Sequence, residues 1–410
     1  MKEIEQLIHY ICRFKYRIYL TKEQKEYIDL NMDACRYVKN YVLGLIKEDD
    51  KRFQEDPTHI RMKKRKHDLI NLLPAIKAIP EHVWLNKASS AALQHAAQEL
   101  SVAFSNMFKQ GRGYPRFHSW KEAQSMTLSG PIFGFDEGNN LYIPKLSSSI
   151  KVIWDRPLPS KPTSMVITKN ASGEYYVSFV CRFVPAVVGR FVDGIVGCDF
   201  GIANFIKTSD GEVVSNPKNA TKLQTRLAKL QARHARTEKG SKNREKLRIL
   251  IAKIYQRITN MNMDFLHKTA NRFVEAYRDI VIENLDNVEL KEKKNAIYAK
   301  HNRDVQFGKL RILLTYKVIK YYVSGFTRRL LIADRYYPSS QLCSCCRFKN
   351  TPPIPINIRR WTCPSCKTTH DRDFNAAQNL VNLAKENKDI WRVYDSPICE
   401  LKYSQPVYEL

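Results

Sequence analysis

Between Arg13 and Leu20 apolar residues alternate with basic or polar ones (R-F-K-Y-R-I-Y-L), which puts Phe14, Tyr16, Ile18 and Leu20 on one face of a predicted strand. Thr21 then reads as a helix cap, and from there to about Gln110 the pattern is helical. The last of these helices carries Leu93, Ala96/Ala97, Leu100, Ala103/Phe104 and Met107/Phe108 on one stripe, which predicts a core face. The breaker-rich stretch Gly111-Arg-Gly-Tyr-Pro-Arg-Phe117 ends the helices. Short β-like runs follow at Leu141–Ile143, Val152–Trp154 and Met165–Thr168, and Asn170-Ala-Ser-Gly173 turns the chain into Tyr175–Phe183. A small β-barrel is the simplest closure of these runs. If the first strand joins it, the helical segment is an insertion between two barrel pieces.

Beyond Gly194 the pattern changes to apolar strands that end in acids. Gly194-Ile-Val-Gly-Cys-Asp-Phe-Gly-Ile202 is a strand with Asp199 near its end, followed by a second strand through Phe205 to Lys207 and a turn at Ser209-Asp-Gly211. Asp279-Ile-Val-Ile-Glu-Asn-Leu285 is a short β-branched strand ending at Glu283. A lone buried carboxylate is costly to desolvate, and a bound cation removes that cost; a plain turn cap is the competing reading for Asp199. A third acid, Asp373, lies in His370-Asp-Arg-Asp-Phe-Asn-Ala-Ala-Gln-Asn-Leu380, an acidic turn that opens a helix with Ala376, Ala377, Leu380 and Leu383/Ala384 facing inward. Taken alone, Asp373 also reads as an N-cap.

Between the first two acids lies a helical region from about Lys218 to Tyr277. Within it Lys222, Arg226, Lys229, Arg233 and Arg236 recur at steps of three and four beside Leu223, Leu227 and Leu230. Acids that would neutralise this face are missing, which favours phosphate contact over a merely solvated surface. The formal charge of +27 over 410 residues, spread along the chain, agrees with a polyanionic partner. The 43% hydrophobic content excludes a disordered chain and suits two to four domains. No long apolar run supports a membrane. The N-terminus, broken by His9, Arg13, Lys15 and Arg17, has no signal-peptide core, so a cytoplasmic, nucleoid-associated location is expected.

Cysteine spacing adds a metal. Of ten cysteines, Cys343/Cys346 and Cys363/Cys366 form two C-x-x-C pairs with 16 residues between Cys346 and Cys363, which is the spacing of a zinc ribbon. A redox dithiol or disulfides are the competing readings, the latter disfavoured in a reducing compartment. Cys345, between the first pair, could substitute as a ligand, but C-x-x-C spacing leaves two backbone amides free to bond the sulfurs, which favours Cys343 and Cys346.

Gly-Cys-Asp-Phe-Gly-Ile (197–202), Ile-Glu-Asn-Leu (282–285), Pro-Ser-Ser-Gln-Leu-Cys-Ser-Cys-Cys (338–346), Trp-Thr-Cys-Pro-Ser-Cys (361–366) and Asp-Arg-Asp-Phe-Asn-Ala-Ala (371–377) together resemble the split RuvC motifs and zinc ribbon of TnpB proteins. Gly113-Tyr-Pro-Arg-Phe117 is similar to a TnpB segment that opens the second barrel portion. The resemblance spans nearly the whole chain and is strongest over 194–384. It implies a multidomain α/β fold: an RNase H-like (RuvC) nuclease domain with an inserted zinc ribbon, plus an N-terminal β-barrel (wedge) carrying an inserted helical recognition domain. The implied boundaries are barrel parts at 1–24 and 113–187, the helical domain at 25–112, nuclease parts at 188–339 and 369–386, the ribbon at 340–368 and a tail at 387–410.

The resemblance further implies an RNA-guided DNA endonuclease that binds a guide RNA from the transposon end. It would cut double-stranded target DNA beside a short adjacent motif and so support transposon maintenance. Asp199, Glu283 and Asp373 would be the catalytic acids and hold two Mg²⁺ ions, with Mn²⁺ as a substitute; Asp371 is the rival for the third place. Asp373 is preferred because it stands two residues before Asn375, whose amide could orient it or a water. One structural Zn²⁺ would sit on Cys343, Cys346, Cys363 and Cys366. The expected assembly is a monomer with one RNA. Arg347 and Lys367 follow the second cysteines where such ribbons usually carry Gly, which exchanges a flexible turn for charge. Val288–Asp304, with Lys291, Lys293, Lys294, Lys300 and Arg303, resembles a mobile lid. The alternative reading is a guide-dependent DNA-binding repressor, which requires the loss of a catalytic acid.

Overall fold

The computed structural model describes residues 10–120, 122, 124–185, 189, 191–201, 204–284, 306–334, 336–355, 357–386 and 392–393. The lid expected over Val288–Asp304 and most of the expected tail lie outside these residues. The chain divides into two compact units, one built on Ile11–Phe183 and the other on Val184–Pro406.

In the first unit, β1 (Tyr10–Tyr19) buries Cys12, Phe14, Tyr16 and Ile18, as its alternation dictates, while Leu20 lies past its end. Thr21 caps α1 (Lys22–Glu55) through a capping box: Thr21 Oγ1 accepts from Gln24 N at 3.3 Å and Gln24 Oε1 accepts from Thr21 N at 3.0 Å. Two short helices, α2 (Lys66–Asn71) and α3 (Leu73–Ala78), lead to α4 (Ser90–Gln110). Helix α4 buries Leu93, Ala96, Ala97, Leu100 and Phe104 and ends at Gly111 in the left-handed region, φ +62°. The expected stripe stops one turn early, since Phe108 is 66% exposed.

The strands β2 (Gln124–Ser129), β3 (Gly134–Phe135), β4 (Leu141–Tyr142), β5 (Lys151–Ile153), β6 (Ser164–Lys169) and β7 (Tyr175–Phe183) follow. They form a five-stranded sheet, order β2-β6-β7-β1-β5, and a β3-β4 pair joined to it by the bridge Leu141↔Ile150. Strand β1 thus lies inside a sheet whose other strands come after α4, so α1–α4 interrupt it in sequence. Among the described residues no pairing between β2 and β3 closes this sheet into a barrel. Asn170 Oδ1 accepts from the N–H groups of Ser172 and Glu174, and Gly173 takes φ +82°, which makes the β6-β7 turn.

The second unit is a mixed sheet with helices on it. Its elements are β8 (Ile195–Phe200), β9 (Asn204–Thr208), β10 (Val213–Ser215), α5 (Asn219–Arg236), α6 (Lys242–Ala276), β11 (Asp279–Ile282), α7 (Phe307–Val323), β12 (Arg329–Ile332), β13 (Arg360–Thr362), β14 (Thr369–Asp371), α8 (Arg372–Lys385) and β15 (Arg392–Val393). The sheet order is β10-β9-β8-β11-β12-β15. Strands β8, β11 and β12 are mutually parallel, and all four residues of β11 are buried, as a central parallel strand requires. Its Asp279 is held by Arg329 and Arg278.

The continuous helical run expected to Tyr277 is two helices. The chain breaks at 237–241, where Gly240 takes φ +86° and Ser241 Oγ caps α6 by accepting from Arg244 N at 3.2 Å. Leu227 packs on Ile254 and Ile258, with Leu223 and Leu230 at the margin, so the apolar stripe read from α5 is the seam of a helical hairpin.

Candidate nuclease and zinc site

Strand register brings the first two acids together. Cys198 pairs with Ile282 across the parallel strands β8 and β11, so the next step of both chains sets Asp199 beside Glu283 at the same ends of neighbouring strands. Helix α8 supplies the third acid by lying against β8. Leu380 and Leu383 pack on Val281 and Leu331, and Gly197 has no side chain to hold the helix away: a Cβ there would meet Ala377 O at 2.0 Å.

The three carboxylates crowd one another. Burial raises the pKa of Asp199 well above the usual carboxylate range, and the charges of Glu283 and Asp373 add to the rise. Glu283 is raised as well, first by burial and then by Asp373, although a hydrogen bond from Ser339 opposes this. Two acids that resist ionisation beside a third form a site that a divalent cation relieves, so the donor set fits a hard, oxygen-loving metal. Positive side chains already stand there. Arg359 Nη1 lies 2.9 and 3.2 Å from the two oxygens of Asp373, and Arg372 lowers the burden on both buried acids.

The two acids of the α8 turn have different jobs. The N-cap is Asp371: its Oδ1 accepts from Phe374 N at 3.0 Å and from Lys207 Nζ at 2.7 Å. Burial works against that charge, but the lysine and the amides outweigh it and lower the pKa. Asp373, which in sequence is a sound cap, stands inside the first turn, paired with Arg359 and close enough to Asp199 and Glu283 to act on both. Asn375 does not orient it. That side chain is fully buried and turned to the ribbon, donating to Leu342 O at 2.7 Å and accepting from Ser344 N at 2.8 Å.

Cys343, Cys346, Cys363 and Cys366 have ligand atoms that all lie within 4.8 Å of one another. The closest sulfurs, Cys343–Cys366 at 3.5 Å and Cys346–Cys363 at 3.6 Å, approach the roughly 3.7 Å separation of two thiolates about 2.3 Å from one tetrahedral zinc. The knuckles repeat one design. Arg347 N donates to Cys343 O at 2.9 Å and Cys343 N to Phe348 O at 2.9 Å; Lys367 N donates to Cys363 O at 3.0 Å and Cys363 N to Thr368 O at 2.9 Å. Arg347 and Lys367 take φ +65° and +61°, so the turn that usually uses Gly is kept, at a cost of about 1–2 kcal/mol for each non-glycine residue. Other interactions offset this. Arg347 reaches Tyr337 Oη at 3.3 Å, Asn379 Oδ1 at 3.1 Å and the Glu386 carboxylate, and Lys367 Nζ donates to Pro364 O at 2.9 Å.

Thiol acidity differs across the cluster. Hydrogen bonding with the Thr368 hydroxyl and backbone pulls Cys366 down to about 6, whereas burial pushes Cys343 up to about 12. His370 Nε2 stands 3.0 Å from Cys343 Sγ, and Cys343, Cys345 and His370 form an overlapping cluster. The Cys343–His370 pair is within hydrogen-bond reach, with the donor set by the imidazole tautomer.

The five basic residues read from α5 are all exposed. Lys222, Arg226, Lys229 and Arg233 line a groove of about 700 Å³ between α5 and α6, joined by Lys253 and Arg257 from α6; Arg236 is not in its lining. Sequence reasoning misses the α6 partners because the pattern reads as one helix where the protein has two. It also misses Arg359, Ser339 and Asn379. A signal exists for the last: Asn375, Asn379 and Asn382 recur at helical steps on α8, too regularly for a solvated face.

Family models match three stretches: OrfB_IS605, "Probable transposase", at residues 193–294; Cas12f1-like, TNB domain, at 307–380; and the OrfB_IS605 helix-turn-helix domain at 11–54, which here forms β1 and α1. A Streptomyces pristinaespiralis protein named as a candidate RNA-guided DNA endonuclease is 34% identical over 377 residues, covering 90% of this chain and 88% of its own. InsQ of Escherichia coli (strain K12), also named as a candidate RNA-guided DNA endonuclease, is 23% identical and covers 90% of this chain and 91% of its own. A TnpB-like protein of Acanthamoeba polyphaga mimivirus is 22% identical, covering 93% and 75%. Among solved structures, the mini-RNA-guided endonuclease CRISPR-Cas_phi3 aligns with a TM-score of 0.49 and 9% identity over 93% of each chain. No helix among the described residues is long and apolar enough to cross a membrane.

Proposed function

This chain belongs to the TnpB family, and from that premise we propose that it is an RNA-guided, metal-dependent DNA endonuclease. It binds a guide RNA from the transposon end, as a monomer with one RNA, and cuts double-stranded DNA beside a short adjacent motif, which supports transposon maintenance. One observation carries the reading: Asp199 and Glu283 stand side by side at the ends of parallel strands, and Asp373 bears on both from α8. The parallel strands β8, β11 and β12 beside the β9-β10 meander support an RNase H-like (RuvC) domain into which the ribbon is inserted. The sheet that α1–α4 interrupt supports a wedge with an inserted recognition domain.

Asp199, Glu283 and Asp373 hold Mg²⁺, with Mn²⁺ as a substitute. Bound there, the metal supplies Lewis-acid activation of the water nucleophile and steadies the leaving 3′ oxygen. The protein needs no nucleophile of its own. Its acids hold their places by strand register and by the Gly197–Ala377 contact, while Asp371 and Lys207 fix the start of α8. Cys343, Cys346, Cys363 and Cys366 hold one structural Zn²⁺. Lys222, Arg226, Lys229 and Arg233, with Lys253 and Arg257, contact phosphates along the α5-α6 groove. Base pairing with the guide supplies sequence choice.

Sequencing RNA that copurifies with the protein, expressed with its own locus, tests the guided half of this reading; a discrete RNA from that locus is expected. The assembled complex then cuts a plasmid library in Mg²⁺, and Asp199→Ala abolishes cutting while guide-dependent binding persists. Absence of a discrete RNA would overturn guidance, and cutting by Asp199→Ala would overturn the assigned site.

A further inference from the structure

A chain of hydrogen bonds runs from the first zinc knuckle to Glu283. Ser339 is 5% exposed, and its hydroxyl donates to Glu283 Oε1 at 2.5 Å. The carbonyl of the same residue accepts from Asn379 Nδ2 at 2.8 Å. That nitrogen also donates to Leu342 O at 2.7 Å, beside Cys343, and Asn379 Oδ1 accepts from Arg347 Nη1 at 3.1 Å. Arg347 follows Cys346 directly and is held in the left-handed region by the knuckle turn.

Each member of this chain is fixed at both ends. Asn379 is fully buried and uses both of its N–H groups and its oxygen, so it has one orientation. Ser339 is therefore held through its backbone while its hydroxyl points at a carboxylate. A glutamate side chain has three rotatable bonds, and register places only its Cα; a hydroxyl bonded to Oε1 selects one rotamer and leaves Oε2 for a cation. Packing alone does not call for a hydroxyl at a buried position, since an unmatched one is costly. The partner that repays it here is Glu283.

We propose that Ser339 is a positioning residue for the nuclease site: it orients the Glu283 carboxylate for its divalent cation, and Asn379 and Arg347 tie Ser339 to the zinc knuckle. This rests on the nuclease reading above. Outer hydrogen-bond partners of metal ligands are worth about 10- to 100-fold in metal affinity, which sets the expected size. The network also gives the ribbon a role beyond folding, because a displaced knuckle would release Arg347, then Asn379, then Ser339.

The test uses the complete protein–guide RNA complex, with Mn²⁺ as the probe, free Mn²⁺ read by electron paramagnetic resonance and Asp199→Ala as the blank. Ser339→Ala should keep one zinc per chain and target binding, yet bind Mn²⁺ about 10- to 100-fold more weakly. The Mn²⁺ concentration for half-maximal cutting should rise by the same factor, with the rate at saturating Mn²⁺ nearly unchanged, and Ser339→Thr should restore both. Arg347→Ala should shift Mn²⁺ affinity in the same direction and add nothing further when combined with Ser339→Ala. Wild-type Mn²⁺ affinity in Ser339→Ala would overturn the positioning role while leaving the nuclease reading intact. Additive effects of the two substitutions would overturn the tie to the knuckle. If wild-type protein binds no more Mn²⁺ than the blank, the nuclease reading falls and this inference with it.

Discussion

Gly197 and Ala377 touch backbone to backbone: the position a Cβ would take on Gly197 lies 2.0 Å from the Ala377 carbonyl oxygen. Gly197 is two residues before Asp199 and Ala377 four after Asp373, so this contact sets how near the third acid comes to the first. A Cβ there cannot be absorbed by a flexible side chain, because the obstacle is helix backbone. Gly197→Ala should therefore push α8 off β8, cost about 1–3 kcal/mol of stability, and abolish cutting. Thermal unfolding together with plasmid cleavage checks both; a variant that cuts normally would show that α8 need not lie this close.

Charge crowding at the site makes a prediction about metal-free protein. Ionising Asp199 is opposed by its burial and by the charges of Glu283 and Asp373. Asp199→Asn removes that cost and should raise the melting temperature of protein held without divalent metal at neutral pH. Mg²⁺ at a hundred times its dissociation constant should stabilise the wild type by about 2.7 kcal/mol and leave Asp199→Asn nearly unmoved. Scanning calorimetry with and without Mg²⁺ decides it.

Much of this site is legible in the sequence because it is built from local signals. An acid at the end of an apolar strand, a β-branched strand ending in Glu283 and paired C-x-x-C turns each carry their chemistry in a few residues. What sequence does not supply is which neighbour each side chain faces. Asp371 and Asp373 are interchangeable as text, and only the ion pair with Lys207 and the cap to Phe374 N separate them. Asn375 lies two residues from Asp373 in sequence and so reads as its neighbour, yet the helical turn rotates it to the ribbon. The α5-α6 break is hidden since Gly240 and Ser241 sit in an otherwise continuous helical pattern, and the groove's second wall is hidden with it.

Asp279 links acidity to stability in the opposite sense from Asp199. It is buried on the central strand, and although burial opposes its charge, Arg329 at 2.6 and 2.7 Å and Arg278 at 3.0 Å lower its pKa overall. A carboxylate with a lowered folded pKa contributes stability above its unfolded value, about 3.9, and loses it as the pH falls through the folded value. Asp279→Asn should be less stable than wild type at pH 7 by about 2–3 kcal/mol, discounting the usual cost of a broken buried pair for the partly exposed arginines. That gap should close below about pH 4. Melting temperatures of both proteins across the acid range measure it, and a gap independent of pH would assign the effect to shape.

The α5-α6 groove should bind by charge and not by base identity. Removing one cation that neutralises a phosphate lowers the slope of log affinity against log salt by about 0.9 on duplex DNA and about 0.7 on single strands. Arg226→Gln and Arg257→Gln face the groove from opposite helices and should each flatten the slope by about one, without preference among sequences. Arg236→Gln, outside the lining, is the internal control. Equal slopes in all three would remove the groove from the nucleic-acid surface.

The zinc cluster offers two ligand sets that share Cys343. His370 Nε2 lies 3.0 Å from Cys343 Sγ, within hydrogen-bond reach, with its ring against Trp361 at 4.8 Å; in the tautomer protonated at Nε2 it donates to that sulfur. Such an outer donor steadies a thiolate, and Cys343 is the member whose burial most resists ionisation. His370→Phe should therefore keep one metal per chain but give up zinc to a chelator about 10- to 100-fold more readily. Cobalt substituted for zinc should show the absorption of four thiolates in both proteins. If wild-type cobalt protein instead shows a nitrogen ligand that His370→Phe lacks, the ion sits on the overlapping set with Cys343 and Cys345. Cys363→Ser separates these cases again, since it removes a ligand of the four-cysteine set alone. On that set, zinc, folding and cutting should all weaken together, and full activity in a stable, zinc-free Cys363→Ser protein would contradict the link between ribbon and nuclease site.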